Sequence, residues 1–117
     1  MLQINGGGEG PYVIRHNTIL NPGDETGCIS LFYNFGPIKN VLVEQNYVSG
    51  AGYTVYGGGP KGQDTSQVSN VKVRNNVFGK DFWPNGGRWG PITNWDGTAP
   101  GNEWTNNRWT DGSLVLP

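Results

Sequence analysis

Apolar and polar residues alternate in four short stretches of the chain, each centred on an asparagine. The stretches YVIRHNTI, VLVEQNYV, VKVRNNVF and NEWTNNRW align without gaps on Asn17, Asn46, Asn76 and Asn107. Alternation at period two is the pattern of β-strands, whose successive side chains point to opposite faces. The pattern therefore predicts four equivalent strands, and no stretch sustains the spacing of an amphipathic helix.

The four asparagines lie 29, 30 and 31 residues apart, and so regular an interval indicates a repeat. Three positions around each asparagine, five and three residues before it and two after it, are apolar in every repeat except at Asn102. A second apolar stretch recurs within the intervals, at residues 2–5, 28–32, 53–57 and 91–95. The chain is therefore predicted to be an all-β solenoid, with equivalent residues stacked about 4.8 Å apart.

The outward positions of these strands carry charges that would stack with alternating sign. Arg15, Glu44 and Arg74 stand two residues before the first three asparagines, and the next outward position places Lys72 beside Glu103. Opposite charges on neighbouring strands stabilise a sheet slightly, and a slip of one residue would bury them. The charges therefore predict the same register as the apolar positions.

The repeated asparagine is expected to end its strand. Asparagine tolerates the left-handed backbone conformation, and its side chain bonds to nearby backbone groups. Stacked asparagine amides also bond to one another. We therefore predict an asparagine ladder, with four separate turn asparagines as the alternative.

The phrases NVLVEQNYV and SNVKVRNNVFG resemble turns of the right-handed parallel β-helix proteins of the pectate-lyase-like group. In that group three parallel sheets wrap around a coil, and an asparagine ladder marks the bend between the second and third sheets. The resemblance implies a short right-handed parallel β-helix of about four rungs, spanning residues 1–117 as one domain or as part of a longer solenoid. The segment DGSLVLP would close its C-terminal end. The fold alone does not define an activity, because it hosts many.

Composition narrows the class of protein further. The 117 residues include 20 Gly and 8 Pro, which favour turns, and 14 aromatic residues, which argue against disorder. A formal charge of −1 predicts no nucleic-acid partner, and no apolar run is long enough to span a membrane. The start MLQINGGG does not have the pattern of a signal peptide. One Cys and one His exclude a disulfide framework and a two-histidine metal site.

A short solenoid exposes unpaired strand edges and apolar interior at its ends unless they are covered. The start of the chain contains no obvious amphipathic cap. We therefore expect self-association, or an origin within a longer polypeptide.

In enzymes that this chain resembles, substrate lies along the first sheet, which corresponds here to residues 28–33, 53–58 and 91–96. Aromatic rings stack on the apolar faces of sugars, and nearby polar groups bond the hydroxyls. The sequence therefore predicts a carbohydrate site with Phe35 and Tyr53 on this face, and with the binding candidates Tyr33, Tyr56, Lys61, Trp83, Trp89 and Trp95. The alternative is that the three tryptophans cover the end of the solenoid.

Candidates for catalysis lie in the same connections. Asp81 and Asp96 could supply the two carboxylates of glycoside hydrolysis, roughly 5–10 Å apart. Lyases that the chain resembles use Arg or Lys as a base with a Ca²⁺ site, which points to Arg88 or Lys61, with Asp64 nearby. The acidic residues are too scattered to predict a metal cluster, so no cofactor is expected unless a lyase binds Ca²⁺.

The function predicted from the sequence is that of a secreted or cell-surface β-helix module that binds or processes polysaccharide, with binding favoured over turnover. One alternative is a structural or assembly module of a surface or tailspike-like protein. Another is a small polysaccharide lyase or glycoside hydrolase. Binding predicts Trp89 or Trp95 at the surface, a structural role predicts buried rings, and catalysis predicts carboxylates that converge.

Overall fold

The computed structural model describes residues 1–59 and 66–117, and these form a parallel β-solenoid of about three turns. Three four-stranded sheets, A, B and C, recur in that order along the chain, and no helix occurs within the described ranges. Sheet A contains β1 (Leu2–Ile4), β4 (Ile29–Leu31), β7 (Tyr53–Gly57) and β10 (Gly90–Thr93). Sheet B contains β2 (Tyr12–Arg15), β5 (Ile38–Glu44), β8 (Val68–Arg74) and β11 (Glu103–Thr105). Sheet C contains β3 (Thr18–Asn21), β6 (Tyr47–Gly50), β9 (Val77–Phe78) and β12 (Arg108–Trp109).

The predicted register is confirmed. In sheet B, Val43 pairs with Ile14 on one side and Val73 on the other, and Val48 of sheet C pairs with Ile19 and Phe78. These columns form the buried core, which excludes apolar surface from water along the whole axis. The column of Val41 and Val71 ends at Asn102, where the other columns have an apolar residue. The side-chain Oδ1 of Asn102 accepts a hydrogen bond from Val71 N at 2.9 Å.

The asparagine ladder is confirmed between sheets B and C. Each amide Nδ2 donates to Oδ1 of the next asparagine, at 3.0 Å from Asn17 to Asn46, 3.0 Å from Asn46 to Asn76 and 2.9 Å from Asn76 to Asn107. The same Oδ1 atoms also accept the backbone N–H groups of the preceding members. The last three asparagines are buried, so the ladder supplies the hydrogen bonds that buried polar groups require.

Each sheet B strand ends two residues before the ladder asparagine, and the ladder asparagine itself is not in the left-handed conformation. The residue immediately before it is in that conformation in every turn, with φ of 58°, 56°, 56° and 54° at His16, Gln45, Asn75 and Asn106. The ladder amide has to point into the solenoid, so the backbone reverses one residue earlier, where the side chain faces outward. These outward side chains bond in two pairs: Asn106 Nδ2 donates to Asn75 Oδ1 at 2.8 Å, and His16 Nε2 donates to Gln45 Oε1 at 2.5 Å.

The predicted charge ladder on sheet B is confirmed. The Glu44 carboxylate lies between two guanidinium groups, 3.1 Å from Arg15 Nη1 and 3.1 Å from Arg74 Nε. The second predicted pair is looser, with Lys72 Nζ 3.9 Å from Glu103 Oε2. All three ion pairs join neighbouring strands, so the outer face of sheet B repeats the register of the core.

The segment DGSLVLP folds back onto the last turn, as predicted. Val115 is buried, and its N–H donates to Asn107 O at 2.7 Å. Its carbonyl oxygen accepts a hydrogen bond from Trp104 Nε1, also at 2.7 Å. Arg108 and Leu114 form an antiparallel bridge, which pairs part of the outer edge of β12.

Candidate functional site

A cluster of aromatic rings lies at sheet A. Tyr56 pairs with Ser30 on β4 and Thr93 on β10, in the column that alternates with the core column of Val55. Its ring centroid is 5.5 Å from that of Phe32 and 5.9 Å from that of Tyr53. Contacts at these distances are those of tilted and edge-to-face aromatic pairs, which stabilise one another beyond their buried area.

A glycine allows the connection before β4 to lie close to this cluster. A Cβ atom at Gly27 would come within 2.8 Å of Ser30 Oγ and 3.0 Å of the Tyr56 ring, so a larger residue would have to displace one of them. Ser30 is fully buried, and its Oγ has no hydrogen-bond partner among the described residues. The surroundings of Tyr56 are therefore closely packed on this side.

Trp89 is the most exposed tryptophan of the described chain, with 60% of its surface accessible. Its backbone N–H donates to Gly52 O at 2.8 Å, and the following residue, Gly90, pairs with Tyr53. Trp89 therefore lies beside the ring cluster of β7. We call Phe32, Tyr53, Tyr56 and Trp89 the ring face.

A charged pair borders the ring face. The Arg88 guanidinium lies over the Trp89 indole, 4.7 Å from the ring centroid, and forms an ion pair with Asp24. The Arg88 N–H donates to Ala51 O at 2.9 Å, which holds the loop on the preceding turn. A cation held over an indole is attracted by the negative face of the ring, so Arg88 is fixed beside an exposed apolar surface.

The other predicted rings take different positions. Trp95 is half-buried, packs on the core, and its ring lies 5.7 Å from that of Trp104 in the last turn. Tyr33 is also half-buried against the core, and Trp83 pairs with Phe82 at 6.2 Å. Phe35 is exposed and lies in the connection that follows β4. The predicted set of rings is thus divided between the surface and the packed interior.

The catalytic candidates each have separate partners. Asp81 accepts a hydrogen bond from Tyr47 Oη at 2.6 Å, and its N–H donates to Ser49 Oγ at 3.1 Å, both on β6 of sheet C. Asp96 is buried and accepts from the N–H and the hydroxyl of Thr98, at 2.9 and 2.6 Å. The third candidate, Arg88, is paired with Asp24, so the three candidates bond to different residues.

Hydrogen bonding perturbs the titration of the Asp81 pair. The Tyr47 hydroxyl, with a further contribution from Ser49, lowers the pKa of Asp81 below its usual value. The same hydrogen bond raises the pKa of Tyr47. A carboxyl with a lowered pKa is ionised at neutral pH, which suits an acceptor for hydroxyl groups better than a general acid.

The remaining candidates are two loop residues, a metal site and the one cysteine. Lys61 and Asp64 lie outside the described residues. Across residues 1–59 and 66–117, no three His, Cys, Asp or Glu side chains come together as a metal site. Cys28 is buried, and burial raises the pKa of its thiol to about 11, which keeps it protonated and unreactive.

Sequence reasoning missed two members of this site. Phe32 ends the apolar stretch 28–32 and Asp24 lies in a glycine-rich connection, so the alternation pattern assigns neither of them to a site. Asp24 and Arg88 are separated by 64 residues, about two turns of the solenoid. Counting the repeat interval twice would have brought their two connections to the same corner.

Comparisons of the chain with protein-family models, with curated proteins and with solved structures found no match. The fold by itself defines the class of this protein, which is a parallel β-solenoid with a stacked asparagine ladder. No helix in the described part of the chain is long and apolar enough to cross a membrane.

Proposed function

We propose that this protein is an extracellular β-solenoid module that binds a polysaccharide through the ring face. The observation that carries the proposal is the exposed indole of Trp89, whose backbone N–H is bonded to Gly52 O, one residue before Tyr53 of the ring cluster. An apolar side chain of this size is stabilised by burial, so a large exposed ring next to other rings is typical of a binding surface. The three sheets and the asparagine ladder support kinship with the pectate-lyase-like group.

The chemistry of the ring face favours a neutral sugar chain. None of the four strands of sheet A contains a charged residue. Arg88 and Asp24 at the border supply hydrogen-bond donors and acceptors for sugar hydroxyls, while the rings offer flat apolar surface. Mostly apolar walls with a few polar groups are usual for ligand sites.

Binding is proposed in preference to turnover. Asp81, Asp96 and Arg88 are engaged with Tyr47, Thr98 and Asp24 respectively, and the lowered pKa of Asp81 disfavours a role as an acid. Glycoside hydrolysis requires one carboxyl that donates a proton and a second one close by. The contacts of these residues therefore support a surface that holds sugar without cleaving it.

A glycan array with the native chain, Trp89→Ala and Trp89→Phe tests the proposal. Loss of the indole should weaken binding to the recognised glycan about tenfold, which corresponds to about 1.4 kcal/mol of stacking. Trp89→Phe keeps an aromatic face and should retain most of the binding. Circular dichroism of the variants checks that the fold is unchanged, and equal binding by the native chain and Trp89→Ala would refute the proposal.

A structural or assembly role is the second candidate, and the ends of the solenoid favour it. Strands β1, β2 and β3 are terminal in their sheets, so one edge of each remains unpaired within the described residues. Leu2, Ile4 and Ile19 on these strands are only partly buried. Open edges and incompletely covered apolar residues support association with a further layer of strands.

A further inference from the structure

Charge is distributed unevenly among the three sheets. Within the twelve described strands, every charged residue except Arg108 lies on sheet B. The sheet B set comprises four cations and two anions: Arg15, Lys39, Lys72, Arg74, Glu44 and Glu103. Sheet B is thus positively charged in a chain whose formal charge is −1.

The outer face of sheet B also contains a shallow depression of about 300 Å³. Val13, Leu42 and Lys72 are aligned in one outward column across it, and Val13 is 56% exposed. The amides of Asn40 and Asn70 line the depression and bond to each other at 2.7 Å. The depression therefore combines apolar surface, amide groups and a cation, as a sugar-binding surface requires.

The cations of this face differ in how closely a carboxylate holds them. Arg15 and Arg74 share the carboxylate of Glu44, which holds one nitrogen of each guanidinium at 3.1 Å. Among the described residues, Lys72 is paired with Glu103 at 3.9 Å, and both side chains are well exposed, at 39% and 48%. An exposed ion pair of this kind contributes roughly 0–1 kcal/mol, so an anionic ligand can compete for Lys72.

We propose that the outer face of sheet B is a second binding surface, distinct from the ring face, and that it takes a sulfated polysaccharide. Lys72 binds the sulfate ester, and Val13 and Leu42 contact the apolar C–H groups of the sugar ring. Planar carboxylates are recognised best by a free arginine fork, whereas lysine acts as a point charge toward tetrahedral anions. Arg74, the other cation that lines the depression, is held at 3.1 Å by Glu44, so Lys72 is the cation there with a loose ion pair, and a lysine favours sulfate over carboxylate.

Binding to dextran sulfate, with uncharged dextran as the matched polymer, tests the proposal. Dextran sulfate should bind more tightly than dextran, which lacks the sulfate ester that Lys72 binds, and affinity for dextran sulfate should fall as salt is raised because counterions compete for the same charges. Lys72→Gln should weaken binding about fivefold, and Glu103→Gln should strengthen it about threefold by removing the competing carboxylate. The gain of affinity is informative because a misfolded variant would not produce it.

Matched controls separate this surface from general charge and from the ring face. Lys80 lies over the Trp109 ring near sheet C, and Glu25 lies in the connection before β4. Lys80→Gln therefore makes the same charge change as Lys72→Gln at another place, and Glu25→Gln makes the same change as Glu103→Gln. Both variants should bind dextran sulfate as tightly as the native chain does. Trp89→Ala should do so as well, whether or not the ring face binds a glycan. Equal binding of dextran, no effect of Lys72→Gln, an equal effect of Lys80→Gln, or tighter binding of polygalacturonate would each overturn the proposal.

Discussion

The side-chain amide of Asn76 satisfies several buried groups at once. Its Oδ1 accepts both the backbone N–H and the amide of Asn46, and its Nδ2 donates to Val43 O and Asn107 Oδ1. Only 2% of the residue is exposed, so water cannot replace these bonds. One side chain thus connects three successive turns.

We expect Asn76→Ala to lower the free energy of unfolding by about 2–4 kcal/mol. The loss exceeds that of a single hydrogen bond because the N–H of Asn46 and the carbonyl of Val43 remain buried without partners. Urea unfolding followed by circular dichroism measures it. Asn34→Ala, which removes an exposed amide with a 3.3 Å bond to Asn5, should change stability by about 0.5 kcal/mol or less. A similar small change in both variants would contradict a stabilising role for the ladder.

At the scale of the element, sheet B is held by hydrogen bonds along its strands and by the charges on its outer face. Glu44 on β5 links Arg15 on β2 to Arg74 on β8. The two guanidinium groups hold the pKa of Glu44 below its usual value, first through their hydrogen bonds and then through their charge. The ionised form is therefore bound more strongly in the folded state than in the unfolded chain.

This lowered pKa predicts the sign of a pH dependence. Glu44 stabilises the fold above its unfolded-state pKa of about 4.5, and the contribution is lost as pH falls through the lower folded-state pKa. The native chain should be more stable than Glu44→Gln at pH 7, and the difference should shrink progressively below pH 4.5.

Urea unfolding of both proteins between pH 7 and pH 3 measures this difference. Glu25→Gln, which changes the same charge in a loop, controls for effects of net charge. A difference between native and Glu44→Gln that stays constant down to pH 3 would show that the Arg15–Glu44–Arg74 ladder does not stabilise the fold.

At the scale of the whole molecule, the two ends of the solenoid are different. The last turn is covered by Val115, Trp95 and Trp104, whereas the outer edges of β1, β2 and β3 are unpaired within the described residues. Unpaired parallel edges with apolar residues beside them are templates for further pairing. The first turn is therefore the end at which we expect contact with a second copy.

Size-exclusion chromatography with light scattering should give the 117-residue chain a mass above the 12.7 kDa of one copy. Ile4→Lys should shift the mass toward the monomer, because it places a charge at the open edge. Leu116→Lys, on the exposed tail at the opposite end, should not. A single species of 12.7 kDa for the native chain would contradict self-association.

Much of the fold could be predicted because apolar and polar residues alternate within each strand, and this alternation is visible in the sequence. Val41, Val43 and Val48 recur at Val71, Val73 and Phe78, and the pairing of these positions follows from one repeat interval. Period-two alternation does not predict the left-handed residues Asn40 and Asn70, whose φ values are 56° and 51°, one residue before a core valine in each turn. Asparagine at equivalent positions in two turns was the signal for them.

The candidate site was less predictable because its residues lie in connections. Trp89 and Trp95 are six residues apart in similar surroundings of glycine and polar residues, yet Trp89 is exposed and Trp95 packs on Trp104. Period-two alternation cannot assign a ring that lies outside or at the end of a strand. The position of each ring depends on how its connection crosses the neighbouring turns.

The sequence by itself determined the repeat, the register and the two ladders, because each of these depends on like residues meeting at one fixed interval. Only the tertiary structure decided which rings form a surface, that Asp24 holds Arg88, and that Asp81 bonds to Tyr47 on sheet C. These contacts join residues that are not equivalent in the repeat. They follow from the paths of the connections, which the spacing of apolar residues does not encode.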